Sequence, residues 1–430
     1  MFKSLFKNQL IKILSFNSVS VFLNFIAGFV SIKFIAHFLG AEGMAIIGNF
    51  KNFSTSVKTF STLGFNNGIT KLIAEHTNDK DKLSHIISTA FISRMIFSLI
   101  IGCLLILFSY RINLYVFENL DFRNVIILLA LVVPFYSLNT FLISVLNGFK
   151  RFKKIITINI VSTTIGTFIS LFLIWKHGLN GALISIASIE SLIIIVSFSL
   201  IQRTDIPFKI KRKYFSIKLN KVLFNFSLMA LTSALIIPNS HLYLRNLIKT
   251  TEGITQAGYW EAMNNISNYY MMMITSGLTL YYLPKLSETL EMSKIKKELI
   301  NYYKILLPVF LVIAFFTFTL RKIIVRILLN ETFMPVTDFF YWQIIGDIIK
   351  VTSMSLGYLI VAKTMTYKYI FIEILFYVVY LISANFLIEI YQTEGVIMSY
   401  AIANFVSLII LLVIFRKLFT KNTNTVNEKY

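Results

Sequence analysis

Residues 124–146 read NVIILLALVVPFYSLNTFLISVL and carry no charged side chain. A helix needs about 20 mostly apolar residues to cross the hydrocarbon core of a bilayer, and this stretch is long enough. The strands of a transmembrane barrel would instead alternate apolar and polar residues over about 10 positions. The stretch therefore predicts a membrane-spanning helix and argues against a barrel.

The composition extends this interpretation to most of the chain. Of its 430 residues, 56% are hydrophobic and 14% are charged, whereas an ordinary soluble domain has about 25% charged residues. Too few polar side chains remain to cover a surface that faces water, which excludes a soluble globular enzyme and a disordered chain. The single cysteine, Cys103, excludes a disulfide within the chain and a multi-cysteine metal site, and no Walker-type phosphate loop is present. We therefore expect no metal, no cofactor and no ATPase activity.

Twelve apolar runs are candidate transmembrane helices. The first is too long for the core of a signal peptide, so we expect it to be an uncleaved span. The second and eighth runs are the weakest, because both are rich in Asn, Ser and Thr. The predicted limits are 13–35, 44–66, 86–108, 124–146, 155–174, 181–201, 222–242, 256–282, 305–320, 339–361, 369–387 and 395–415.

The distribution of Lys and Arg predicts the orientation of these spans. Cytoplasmic loops carry an excess of basic residues. If the N-terminus is cytoplasmic, 28 of the 41 basic residues lie in inside segments, 8 lie in outside loops and 5 lie within spans. This asymmetry predicts that both termini are cytoplasmic. The basic cytoplasmic loops would lie against anionic lipid head groups. This contact accounts for much of the net charge of +21, so no nucleic acid partner is needed to explain it.

The two halves of the chain are weakly similar at one constant offset, close to half the length of the chain. GALIS at 181–185 matches GVIMS at 395–399, and Lys71-Leu72 matches Lys285-Leu286 at the same offset. Parallel six-helix repeats are typical of transporters, which bind substrate at the repeat interface. We therefore predict an all-α integral membrane protein with two six-helix bundles. Its predicted parts are residues 1–205, a basic cytoplasmic linker at 206–221, and residues 222–430, which end in a short cytoplasmic tail.

Polar side chains form a stripe along the second predicted span. Lys51 and Lys58 are two helical turns apart, and Thr55 and Thr62 extend the same face. Asn49 lies beside them. A charge at bilayer depth costs at least a few kcal/mol, so it usually faces a cavity or a partner. The stripe indicates the wall of a water-filled cavity that attracts an anion. The alternative is that each lysine extends to a membrane interface.

The eighth predicted span carries a second polar stripe. Glu261, Asn265 and Asn268 share one helical face, and Asn264 is adjacent to it. Amides bind sugar hydroxyls without the cost of burying a charge, so this face is a candidate glycan-binding wall. The alternative is polar contact between helices, in which each hydrogen bond contributes about 0.6 kcal/mol.

The remaining charges within or near spans have two interpretations each. Asp347 and Lys350 are three residues apart on the tenth span, which predicts either an internal ion pair or an ion-coupling site. Three basic residues are candidates for the anion site, with anchoring at an interface as the alternative. They are Lys33, Arg94 and Arg245. The spans of the N-terminal half hold four bases and one acid, Glu190, for which the sequence shows no partner. This balance favours an anionic substrate, such as a phosphate ester, over an organic cation.

Several short stretches resemble Wzx-type O-antigen translocases, in the branch that includes the lipid III flippases. They occur in order along both halves, within residues 13–415. They are GAEG at 40–43, GNF at 48–50, NGITK at 67–71, LRN at 244–246, AGYWEA at 257–262 and YYLPKLS at 281–287. Glu261 departs from the family pattern, which has a glutamine there.

The resemblance implies a member of the multidrug/oligosaccharidyl-lipid/polysaccharide superfamily, with two bundles arranged as in MATE and MurJ proteins around a central cavity. It implies flipping of an undecaprenyl-pyrophosphate-linked oligosaccharide, such as an O-antigen repeat unit, from the cytoplasmic to the periplasmic face of the bacterial inner membrane by alternating access. The basic stripe would bind the pyrophosphate and the amide stripe the glycan. The implied partners are membrane lipids, a polysaccharide polymerase and a chain-length regulator.

Two other classes of function remain open. A multidrug or organic-cation antiporter of the same fold would need cavity carboxylates in the N-terminal half, and Glu190 is the only acid within the spans of that half. A membrane-bound polymerase or ligase would need a large external loop, and the longest predicted one covers residues 321–338. We therefore expect a transporter that is not an enzyme.

Overall fold

The computed structural model describes residues 9–118, 121–202, 206, 210–289, 291–416 and 418. Regular structure in this part of the chain is helical throughout, which confirms the prediction of an all-α protein. Eight of the helices are long and apolar enough to cross a membrane. The protein is therefore a multi-pass membrane protein. The described residues pack into two compact units, the first within residues 9–39 and 46–242 and the second within residues 40–45 and 243–418.

The first unit contains the second predicted span and the helices around it. Its core includes Phe50, Leu129 and Leu183, which are all fully buried. A 3-10 turn at Arg212–Tyr214 precedes its last helix. In chain order its helices are α1 (Gln9–Ser61), α2 (Asn66–Glu75), α3 (Lys80–Leu107), α4 (Ser109–Phe117), α5 (Arg123–Gly148), α6 (Phe152–Leu192), α7 (Ile194–Gln202) and α8 (Ile217–Glu252).

The second unit begins within α8, at Tyr243, and also takes Gly40–Ala45 from the middle of α1. A π-helical turn, Leu278–Tyr282, follows its first complete helix. That helix, α9, is not among the eight that are apolar enough to span, as the weak eighth run of the sequence indicates. The helices are α9 (Ile254–Gly277), α10 (Leu283–Glu288), α11 (Met292–Thr319), α12 (Arg321–Leu328), α13 (Val336–Ala362) and α14 (Thr366–Ile414).

Three long helices each contain one residue in the left-handed backbone region. These residues are Gly40 in α1, Gly178 in α6 and Gln392 in α14, with φ values of 63°, 54° and 57°. Each one interrupts the helix within a predicted gap between two spans. The number of membrane crossings and the location of the termini stay predictions. The predicted domain limits also stay a prediction, since residues 207–209 of the linker and the tail after residue 418 lie outside the described residues.

The internal repeat has a structural counterpart in each unit. Gly178 and Gln392, where the helices are interrupted, are separated by the same offset as the matching stretches GALIS and GVIMS. Three residues further on, a Cβ on Gly181 would lie 1.9 Å from the backbone oxygen of Leu173, and one on Gly395 would lie 2.2 Å from that of Leu387. In both units the chain therefore returns so closely against itself that only glycine fits.

We predict that Gly181→Ala destabilises the protein by about 3 kcal/mol or more, because the added methyl group meets backbone rather than a flexible side chain. Gly357→Ala is the matched control, since nothing lies within 4 Å of its Cβ position in α13. Alanine there is expected to stabilise the helix by about 0.5–1 kcal/mol. Thermal unfolding of the two purified variants in detergent compares these effects. Equal melting temperatures would contradict the close approach at Gly181.

Candidate functional site

One face of α1 lines a polar cavity of about 330 Å³ inside the first unit. Lys51, Ser54, Thr55, Lys58 and Thr59 form this wall, as the helical spacing of the second span predicts. The opposite walls come from α5 and α6. Their polar residues at the cavity are Tyr136, Ser170, Ser185 and Glu190. The cavity is open to its surroundings, since Lys51, Thr55 and Glu190 at its walls are exposed.

Lys58 turns into this cavity and forms an ion pair with Glu190. Its Nζ lies 2.7 Å from a carboxylate oxygen of Glu190 and donates a second hydrogen bond, 3.1 Å long, to the backbone oxygen of Ile186. The Nζ also lies 5.3 Å from the ring centre of Tyr136. The Lys58 side chain is 8% exposed and that of Glu190 is 57% exposed. The ammonium is thus held inward, while the carboxylate that neutralises it remains accessible.

The other groups of this wall leave the cavity with a net positive charge. Lys51 is exposed at the cavity, and Lys51, Lys58 and Glu190 together sum to one positive charge. Thr55 donates its hydroxyl proton to the Lys51 backbone oxygen over 2.8 Å, so its oxygen remains an acceptor. Ser54 Oγ is buried and has no hydrogen-bond partner among the described residues. The cavity therefore offers two cations and several hydroxyl groups.

The structure does not bring the other predicted N-terminal residues to this cavity. Asn49 donates to the backbone oxygen of Val116 over 3.3 Å, and the buried Thr62 donates to that of Thr59 over 2.9 Å. Lys33 is exposed on the first half of α1 and does not line the cavity.

Arg94 is 1% exposed and holds neighbouring helices together. Its guanidinium donates to the side-chain oxygens of Asn66 and Thr140 and to the backbone oxygen of Ser137. These partners belong to α2 and α5, so Arg94 joins them to α3. Neither of the interpretations that the sequence left open describes this buried position.

In the second unit, Arg245 and Glu261 form an ion pair, with side chains 2% and 12% exposed. The guanidinium carbon lies 5.4 Å from the ring centre of Trp260, and Asn265 donates to Glu261 over 3.4 Å. Arg245 is thus held by α9 rather than standing alone at the end of its span. Of the other predicted glycan-binding residues, Asn268 is exposed, and the amide nitrogen of Asn264 is buried with no hydrogen-bond partner among the described residues.

Asp347 is fully buried and is surrounded by hydrogen-bond donors. Ser267 donates to it over 2.7 Å, Tyr400 over 2.8 Å and Gln343 over 3.3 Å, and the Tyr270 hydroxyl donates as well. Lys350 is not among the partners of Asp347 in the described part of the chain, and its Nζ lies 5.7 Å from the ring centre of Tyr400. The predicted internal ion pair is wrong, because hydroxyl groups from α9 and α14 occupy both carboxylate oxygens.

This arrangement predicts unequal effects of two substitutions on α13. Asp347→Asn is expected to destabilise the protein by about 2 kcal/mol, since it removes hydrogen bonds to a charged acceptor. Lys350→Met is expected to change stability by less than about 1 kcal/mol, since it breaks no ion pair. Thermal unfolding measures both, and the double variant measures their coupling. A strong coupling between the two residues would contradict the structure.

Glu190, Tyr136 and Ser170 are site residues that the sequence analysis did not identify. Glu190 is the acid that showed no partner in the sequence, and its partner is 132 residues away. The sequence did contain one indication of this pair, since the acid without a partner and the lysine in the middle of a span have opposite charges and lie in the same half of the chain. The choice of partner still required the packing of α1 against α6.

Known proteins match the chain along most of its length. The family model described as polysaccharide biosynthesis protein matches residues 10–290. The Lipid III flippase of Escherichia coli is 27% identical over 379 residues, which cover 87% of this chain and 90% of that protein. A structure titled as the lipid II flippase MurJ in an inward closed conformation aligns with a TM-score of 0.74 at 17% identity, covering 94% of this chain and 87% of that one.

A multidrug resistance MATE family transporter of the MOP superfamily, solved in an inward-facing conformation, aligns with a TM-score of 0.69 at 16% identity. The alignment covers 97% of this chain and 100% of that structure. At these identities the two solved structures establish a shared fold. The helical architecture of this chain is therefore similar to those of MurJ and MATE proteins.

Proposed function

The chain belongs to the polysaccharide biosynthesis protein family, and from this premise we propose that it is a flippase for lipid-linked oligosaccharide. Its substrate would be a glycan on undecaprenyl pyrophosphate, such as an O-antigen or related surface polysaccharide repeat unit. It would move from the cytoplasmic to the periplasmic leaflet of the bacterial inner membrane. The likeness to the Lipid III flippase over 87% of the chain supports this class of substrate.

The cavity around Lys58 is the observation that carries the proposal. A pyrophosphate leaving water loses strong hydration, and ammonium groups replace it with charge-assisted hydrogen bonds. Lys51 is exposed at the cavity, and Lys58 lies 2.7 Å from a carboxylate that is itself accessible. An incoming phosphate would therefore take the place of Glu190 at Lys58, so that the buried ammonium always has an anionic partner. This exchange avoids leaving an isolated charge in the membrane, which costs several kcal/mol.

The polar residues around the lysines suit the sugars next to the pyrophosphate. Thr55 and Tyr136 supply hydroxyl oxygens at the same cavity. The exposed amide of Asn268 in the second unit is proposed as part of a further glycan-binding wall. Hydroxyls and amides bind sugar hydroxyl groups in either direction, as donors or acceptors.

The proposed mechanism is alternating access between two bundles of six spans, with both termini in the cytoplasm. The likeness to MurJ and MATE folds supports this architecture. No covalent chemistry is involved, so the protein would act as a transporter and not as an enzyme. Ion coupling through Asp347 and Lys350 is part of the proposal.

A multidrug or organic-cation antiporter is the second candidate function. The observation in its favour is the Glu190 carboxylate, which is 57% exposed at the cavity. A cation would need to displace Lys58 from Glu190 and would meet the repulsion of Lys51. The net positive charge of the cavity therefore favours the flippase.

Reconstitution in proteoliposomes tests the proposal. An undecaprenyl-pyrophosphate oligosaccharide is placed in the vesicles, and its exposure is followed with an impermeant lectin or glycan-cleaving enzyme. We expect exposure at least 100 times faster than in vesicles without protein. Exposure at the protein-free rate for several glycans, together with proton-driven exchange of an organic cation by the same preparation, would overturn the flippase in favour of the antiporter.

A further inference from the structure

The first unit contains a second cavity, of about 280 Å³, on the other face of α1. Phe53, Val57 and Phe60 form its α1 wall, and leucines of α3, among them Leu104, form the facing wall. Phe108, just after α3, closes one side. Leu104 is 42% exposed and Phe108 is 47% exposed, so the cavity is open to its surroundings.

The polar atoms in its lining are already engaged with one another. Pro238 lacks an N–H and leaves the backbone oxygen of Ala234 without its helical partner; Ser56 donates its hydroxyl to that oxygen over 2.6 Å. Tyr115 donates to the side-chain oxygen of Asn239 over 3.1 Å, and the amide of Asn239 donates to Leu235. None of the described residues in the lining is charged. A ligand here would be held by apolar contact alone, which is the chemistry of a hydrocarbon chain.

The two cavities lie back to back on one helix. Residues 51, 54, 55, 58 and 59 face the polar cavity, and residues 53, 56, 57 and 60 face the apolar one. A helix with its side chains is about 10–12 Å across, which sets the scale of their separation. One unit thus offers a cationic cavity and a hydrocarbon-lined cavity within reach of a single flexible amphiphile.

We propose that the apolar cavity binds a segment of the polyprenyl chain of the lipid-linked substrate while the pyrophosphate is at Lys58. The inference rests on the proposed function. It assigns the cavity to the isoprenoid rather than to a bilayer phospholipid, because the pyrophosphate that we propose binds Lys58, on the opposite face of α1, carries the isoprenoid chain. The bound segment keeps the chain beside the unit that holds its head group.

Photocrosslinking identifies the occupant directly. The photoreactive residue p-benzoylphenylalanine is placed at position 108, which lines the cavity, or at position 107 as the control. Leu107 is 75% exposed and does not line the cavity. Both proteins are reconstituted with undecaprenyl-pyrophosphate oligosaccharide in phospholipid vesicles and irradiated, and the adducts are identified by mass. We expect isoprenoid adducts at least 10 times more abundant at position 108. Equal isoprenoid adducts at both positions, or phospholipid adducts alone, would overturn the proposal.

Blocking the cavity provides the functional test. Leu104→Trp fills it, and Leu107→Trp adds the same side chain outside it on the same helix, with melting temperatures measured for both. We expect Leu104→Trp to slow flipping of the full-length substrate at least 10-fold, with binding of a glycosyl pyrophosphate that lacks the chain unchanged. Equal flipping by the two folded variants would overturn this inference while leaving the flippase intact. Absence of flipping by the wild type would instead overturn the proposed function itself.

Discussion

Replacing Lys58 with methionine is expected to slow flipping of the lipid-linked oligosaccharide at least 30-fold. Methionine keeps most of the volume of the lysine side chain and removes its charge. The loss of one member of a close charge pair typically costs about 2–5 kcal/mol, and a factor of ten in rate or affinity corresponds to about 1.4 kcal/mol. In the free protein, the partner Glu190 is 57% exposed and can be hydrated, so the variant is expected to fold. Flipping rates in proteoliposomes and melting temperatures in detergent measure the two effects separately.

The double variant Lys58→Met/Glu190→Gln distinguishes a binding role from a structural one. If Lys58 only neutralises Glu190, removing both charges would restore flipping to the wild-type rate, and the binding role would be disproved. Our proposal expects the double variant to remain slow, because the phosphate still lacks its ammonium partner. Glu190→Gln alone is expected to bind inorganic pyrophosphate several-fold more tightly than the wild type, since Lys58 then has no internal competitor. Lys33→Met is the matched control, because Lys33 is an exposed lysine of the same helix that does not line the cavity.

Replacing Arg245 with methionine is expected to destabilise the protein by about 3–5 kcal/mol, because the substitution leaves a buried carboxylate without its counter-charge. The Arg245 and Glu261 side chains are 2% and 12% exposed. Glu261 would retain the weak hydrogen bond from Asn265, 3.4 Å long. Thermal unfolding in detergent, with retention of a monodisperse elution profile as the criterion for folding, measures the effect.

A double-mutant cycle separates the ion pair from the packing of the arginine. Arg245→Met/Glu261→Met removes both charges and keeps apolar volume at each position. Replacing both members of a buried pair is often neutral or stabilising, whereas removing one is not. We therefore expect the double variant to recover most of the stability that Arg245→Met loses. A double variant as unstable as the sum of the two single variants would show that the residues act independently, contrary to the structure.

Much of the fold could be predicted from the sequence because its determinants are local. Apolar runs long enough for a bilayer gave the helices, and the left-handed residues Gly40, Gly178 and Gln392 fall in the gaps between predicted spans. Two short sequence matches showed the offset of the internal repeat. The residues that interrupt α6 and α14, Gly178 and Gln392, are separated by the same offset. The weak hydropathy of the eighth run agrees with the structure, in which the corresponding helix, α9, is not among the eight helices that are apolar enough to span.

Part of the candidate site could be predicted for the same reason. The spacing of Lys51, Thr55 and Lys58 along one helix requires that they share a face, whatever surrounds that helix. Helical spacing gave no information about how deeply each side chain is buried or which groups it contacts. Asn49 is close to this stripe in sequence, yet its amide binds the end of α4. Thr62 belongs to the same stripe but is buried at the end of α1.

Spacing within the sequence therefore determined which residues of this protein form helices and which polar residues share a face. Tertiary structure alone decided which charges meet. Asp347 and Lys350 are close enough along α13 to pair, but Ser267 and Tyr400, 80 and 53 residues away, supply hydrogen bonds to the carboxylate instead. Lys58 and Glu190 pair across 132 residues. The physical reason is that a buried charge must find a partner wherever packing brings one, and the packing of distant helices is not encoded in any single stretch of the chain.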